Sequence, residues 1–223
     1  MATNFPGSLD SFTNPTSADT LDNPPHDQQH ADVNDAVEAL QAKVGVDGSA
    51  VTSSLDYKVA NQGLVLVKSQ TIGSGVSSVT VTDAFSSTFD NYRIMVNGTL
   101  GSVSLSLGIR FGAVASGYEY STVIVNTVGT VSGNASNSAS EIKQLGVCSA
   151  TAPLQTSFDV FSPYLSTLTA VAGNGIDVRS NQGAMRYTAG FLSSATSFTS
   201  FVLVPSSGTM TGGTIRVYGY NDG

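Results

Sequence analysis

The chain has 223 residues and a net charge of −7, with only 11% of residues charged, under half the usual share of a soluble protein. No apolar run approaches the ~20 residues that span a bilayer, and the single cysteine, Cys148, has no partner for an internal disulfide. A pI near 4.5 leaves nothing to neutralise nucleic-acid phosphates, so membrane insertion, a disulfide framework and a nucleic-acid partner are not expected.

The charge is unevenly placed. Residues 1–60 hold nine acids and two bases, a balance of −7, while residues 61–223 hold seven of each and balance to zero. The 32 Ser and 23 Thr make about a quarter of the chain. A neutral surface with so few charges invites association. Either hydroxyls keep this part in solution or partner subunits cover it. The two compositions predict two parts with different tasks.

The opening MATNFPGSLDSF has no basic stretch followed by an apolar core, so no secretory signal is expected there. Residues 1–25 carry four prolines and no apolar period, which predicts an extended arm without a core of its own. Phe5, Leu9, Phe12 and Leu21 are its candidate anchors, to other copies or to another protein.

Residues 26–45 (HDQQHADVNDAVEALQAKVG) read as the one convincing helix. Asp22 or Asn23 can cap it, Pro24 or Pro25 suits its first position, and Gly45 suits its end. Val33, Val37, Leu40 and Val44 step by four, three and four residues, the spacing of a coiled-coil seam. The seam spans little more than two heptads, so packing on the chain's own domain is the plain alternative. The narrowness of the stripe favours self-association. Val at one seam position and Leu at the other suits a dimer at least as well as a trimer.

Residues 46–62 are expected to be a linker with short extended pieces. From about residue 63 the apolar period becomes two. Val103, Leu105, Leu107, Ile109 and Phe111 alternate with Ser104, Ser106, Gly108 and Arg110. Similar alternation falls at Tyr92/Ile94/Val96, Tyr118/Tyr120/Thr122/Ile124 and Leu154/Thr156/Phe158/Val160. It returns at Met185/Tyr187/Ala189/Phe191, Phe198/Ser200/Val202/Val204 and Ile215/Val217. Turn signals separate the runs at Asn97-Gly98, Gly129 to Asn137, Gly173-Asn174-Gly175 and Gly212-Gly213. Some eight to ten short strands are expected. The fold class is mainly β: an antiparallel β-sandwich, jelly-roll-like, with an extended N-terminal arm and one short coiled-coil-like helix. The organisation is an arm over 1–25, a helix over 26–45, a linker over 46–62 and a β-sandwich domain over 63–223.

Catalytic signatures are sparse. There is no nucleophile elbow, phosphate loop or dinucleotide fingerprint, and both histidines fall in the helix. Asp83, Asp90, Glu119, Glu141, Asp159 and Asp177 leave carboxylate pairs for glycoside cleavage formally open. No catalytic residue and no cofactor is assigned. His26 and His30 share one helix face and are the candidate metal or anion ligands. The plainer reading is that they end the seam as polar residues. Cys148 reads as a buried small hydrophobe. Tyr118 and Tyr120 read as a sugar-contacting patch or, more plainly, as packing residues. The Ser/Asn/Gly-rich stretch from Val128 to Ser140 is the candidate recognition loop.

The run from Phe5 to Val59, and above all His26 to Gly45, resembles an N-terminal module of tailed-bacteriophage virion proteins: tail fibres, minor tail proteins and head appendages. FSSTFDNYRIMVNG (Phe85 to Gly98) and GGTIRVYGYND (Gly212 to Asp222) are similar to the β-sandwich domains of such proteins. The resemblance implies a homotrimer located on the virion, at the tail or the capsid surface. The arm would hold it to other virion structural proteins, Val33, Val37, Leu40 and Val44 would trimerise it, and the sandwich would face outward toward a host glycan or protein. The expected function is a tail fibre, spike or tail-tip appendage aiding host attachment. The alternatives are a capsid-surface head fibre or decoration protein and, from another class, a glycan-processing enzyme.

Overall fold

A computed structural model describes residues 16, 18, 20, 22, 25–61, 63–177 and 183–221. The chain divides into two compact units between residues 62 and 63. The four candidate anchors, Phe5, Leu9, Phe12 and Leu21, lie outside the described residues.

The first unit is helical. α1 (His26–Val44) occupies the expected span and stops at Gly45, whose φ of 88° needs a glycine and whose N–H donates to Gln41 O. Its start differs from expectation. Pro25 stands at the cap rather than in the first turn and no side chain caps the helix. The Pro25 carbonyl accepts from Gln29 N, the bond that the first turn supplies for itself. The expected extended linker is corrected by α2 (Leu55–Ala60). Ser54 caps α2 by accepting from Tyr57 N, and its hydroxyl donates to Val51 O at 2.7 Å. Asp56 in the first turn accepts from Ser49 N at 2.9 Å. Local capping by Ser54 and Asp56 therefore makes a helix where no apolar period announces one.

The second unit is mainly β, with two larger antiparallel sheets and a small ribbon. Its strands are β1 (Leu64–Thr71), β2 (Val79–Val81), β3 (Asn91–Asn97), β4 (Leu100–Gly101), β5 (Leu105–Phe111), β6 (Tyr118–Asn126) and β7 (Val131–Ala139). There follow β8 (Ile142–Cys148), β9 (Gln155–Phe161), β10 (Thr169–Asp177), β11 (Ala184–Leu192), β12 (Phe201–Pro205), β13 (Met210–Thr211) and β14 (Thr214–Tyr220). One sheet runs β1-β14-β3-β9-β10-β11-β6-β7, the other β2-β12-β5-β8, and β13 pairs with β4.

The buried faces of both sheets feed one core. Tyr92, Ile94, Val96, Phe158, Val160, Ile215 and Val217 come from the eight-stranded sheet. Leu105, Leu107, Ile109, Phe111, Ile142, Leu145, Phe201 and Leu203 come from the four-stranded one. Each such side chain contributes about 1.5–3 kcal/mol on burial. Aromatic edges knit the centre: Phe85 meets Tyr92 at 4.8 Å and Phe201 at 5.7 Å. Tyr92 keeps its hydroxyl satisfied, accepting from Ser86 N and donating to Ser86 O.

Three sequence expectations are corrected here. In the 198–204 run, Phe201 and Leu203 point inward while Val202 and Val204 do not, so the buried set is one register from the alternation that Val202 and Val204 suggested. Gly173-Asn174-Gly175 is no turn but lies inside β10. A Cβ on Gly175 would strike the Leu145 carbonyl of β8, and one on Gly173 would strike Phe158; the glycines mark close backbone approach. The stretch from Val128 to Ser140 is mostly the strand β7, recruited by its pairing with β6 in spite of poor intrinsic propensity.

Candidate functional site

The helical unit presents the clearest unassigned surface. Val33, Val37, Leu40 and Val44 are each between 45% and 51% exposed, and α1 has no buried residue. The half-buried positions are Gln29, Asp32, Ala36 and Ala39 instead. Among the described residues nothing buries the seam. At the helix start, His26 and His30 place their Nε2 atoms 3.1 Å apart with rings edge-on at 4.4 Å. One imidazole donates to the other across the i, i+4 spacing. Among the described residues no group of three or more His, Cys, Asp or Glu side chains is placed to hold a metal ion.

In the β unit, charged side chains are used in pairs. On the eight-stranded sheet, Arg93 of β3 grips Asp159 of β9 with two bonds of 2.8 and 2.9 Å, and Tyr220 of β14 donates to the same carboxylate at 2.7 Å. The Arg93 guanidinium lies 5.7 Å from the centre of the Tyr220 ring. Burial opposes ionisation of Asp159, but the hydrogen bonds from Arg93 and Tyr220 and the charge of Arg93 outweigh it and hold the carboxyl below its ordinary range. Burial and the neighbouring Asp159 push the Tyr220 hydroxyl up. A carboxylate so held is disarmed as a general acid, which needs the opposite shift.

Two more carboxylates are paired with arginines. Arg110 of β5 binds Glu141 through Nε at 2.9 Å and a terminal nitrogen at 2.5 Å. Arg186 of β11 binds Asp177 of β10 at 3.1 Å and donates to Gln144 of β8; all but a small part of Arg186 and Asp177 is buried. Thr188 of β11 donates to Gln144 O and bonds Thr122 of β6 at 2.9 Å. These contacts tie the two sheets together.

Tyr118 and Tyr120 are buried and offer no face to a sugar ring. The Tyr118 hydroxyl accepts from Phe111 N at 2.8 Å and donates to Val114 O, and burial pushes its pKa up. Cys148 is fully buried, as expected. Among the described residues no helix is long and apolar enough to cross a membrane. Comparison with protein-family models, with curated proteins and with solved structures finds no match to this chain.

Proposed function

We propose that the chain is a structural virion protein of a tailed bacteriophage, a homotrimeric tail fibre, spike or tail-tip appendage that aids host attachment. The observation that carries the self-associating part is the bare seam of α1. Four apolar side chains at heptad spacing are each about half exposed on a helix with no fully buried residue. Most of a helix's stability comes from packing its apolar face, and covering the seam of this 19-residue helix with copies of itself supplies that burial. Three copies rather than two, and the placement on a virion, follow from the resemblance of His26 to Gly45. The role is static rather than enzymatic, in keeping with carboxylates committed to Arg93, Arg110 and Arg186.

We further propose that the two sheets close as a jelly roll. Leaving aside β6–β7 and β10–β11, the remaining strands order as β1-β14-β3-β9 and β2-β12-β5-β8. Along the chain these strands visit the sheets in the sequence that two nested Greek keys require. The β6–β7 and β10–β11 hairpins are then insertions that extend one sheet. Rigid β modules of this kind suit the outward end of an appendage.

One observation favours a second reading, a capsid-surface head fibre or decoration protein. Only residues 61–63 separate α2 from β1, which leaves no room for a shaft between a virion-bound end and a host-facing end. Protein mass spectrometry on purified particles tests the proposal. The chain is expected as a constant component in multiples of three copies, and its absence from particles that are otherwise complete would overturn the virion assignment.

A further inference from the structure

The strands β10, β11, β6 and β7 form a four-stranded extension that packs Val171, Leu192, Tyr118 and Tyr120 into the core at one end and is inverted in polarity at the other. Its inner face, turned toward β8, carries Asp177, Arg186, Thr188 and Thr122 together with Gly173 and Gly175. Its outer face carries the apolar side chains. The register places Ile176, Met185, Val125 and Val131 side by side across all four strands. The next row is Asn174, Tyr187, Val123 and Gly133, and the next Ala172, Ala189, Ser121 and Ala135. A one-residue slip of register would have turned the apolar set inward. The chain instead ties the polar set to β8 through Arg186 and Thr188 and leaves Val123, Val131, Ile176, Met185 and Tyr187 between 49% and 66% exposed.

We infer that this outer face is a contact surface for a second copy of the same chain. The inference rests on the self-associating assembly proposed above and names the part of the β unit that takes part in it. Charge argues for a copy. The twelve positions of the three rows hold no charged residue, and residues 61–223 balance to zero, so two such faces approach without repulsion and offer nothing to a charged partner. Area argues the same way. The five exposed side chains amount to on the order of 500 Å² of apolar surface, as much as the largest patch a typical monomer shows. That is a large share of the ~800 Å² that each partner gives to a standard interface. Shape adds a seat. A depression of about 420 Å³ lies between Val123, Val125, Ile176, Met185 and Tyr187 and can receive side chains of the facing copy. The edge strand β7, VSGNASNSA, has neither proline nor charge to discourage approach.

The test is the solution mass of the purified full chain by light scattering over a range of concentrations, for the wild type and for Met185→Asp, Tyr187→Asp and Leu40→Asp. Both strand residues point into solvent, so the variants are expected to keep the wild-type circular dichroism. The inference expects each strand variant to raise the dissociation constant at least tenfold. A second readout does not depend on a charge: Ala189→Cys, exposed in the third row of the face, is expected to cross-link copies on oxidation, since Cys148 is fully buried. Wild-type mass retained in both strand variants, with no cross-link, overturns the inference. If Leu40→Asp alone then dissociates the assembly, the helix reading stands without it. A wild type that is monomeric at every concentration overturns both, whereas presence or absence in particles bears on the virion assignment alone.

Discussion

Asp159 shows how this chain spends its few charges. Its carboxylate takes two hydrogen bonds from Arg93 and one from Tyr220 across three neighbouring strands. The folded state holds its pKa below the ordinary value. A depressed folded pKa means stability that is present above the unfolded aspartate range and lost as pH falls through the folded pKa. Wild-type melting temperature is therefore expected to drop between roughly pH 4 and pH 2 by more than that of Asp159→Asn. At pH 7 the substitution is expected to cost about 1–2 kcal/mol, the worth of charge-assisted bonds on a partly screened surface. Thermal melts of both proteins from pH 7 to pH 2 check this; parallel curves would show that the pair contributes nothing. None of it was legible in the sequence. Arg93 and Asp159 lie 66 positions apart, and only the folded sheet makes them neighbours.

At the scale of elements, close approach outranks local propensity. Gly175 sits inside β10 because the Leu145 carbonyl of β8 occupies the place of a Cβ. Gly175→Ala is expected to destabilise the β unit by about 1–3 kcal/mol through overpacking, measured by urea denaturation. An unchanged midpoint would show that the two strands have room to part. This also explains why Gly173-Asn174-Gly175 reads as a turn in the sequence. A glycine demanded by a facing backbone looks the same, from one chain, as a glycine demanded by a bend. α1 was legible because its apolar residues repeat at a helical period and Gly45 stops it. α2 was not, because Ser54 and Asp56 make it by capping rather than by periodicity. β7 was hidden by its composition, since Ser, Asn and Gly become a strand only when β6 offers them a ladder.

For the whole molecule, the lesson is that period was legible and direction was not. The alternation of Met185, Tyr187, Ala189 and Phe191 marks a strand correctly, yet these residues face away from the core while Arg186 and Thr188 face inward. An apolar set normally faces the chain's own interior. In the proposed assembly, the exposed seam of α1 and the outer face of the β unit would be what neighbouring copies cover. Under the proposed function, the acidic first quarter would be the holding end and the neutral remainder the displayed end. The measurement that tests this most directly is imaging of intact particles labelled with an antibody against residues 193–200, most of which are exposed and none of which lies in the face proposed to be covered. Label at the tail end is the result expected of a host-attachment appendage, and label over the shell would move the assignment to capsid decoration. Particles that carry no label at all would contradict the account.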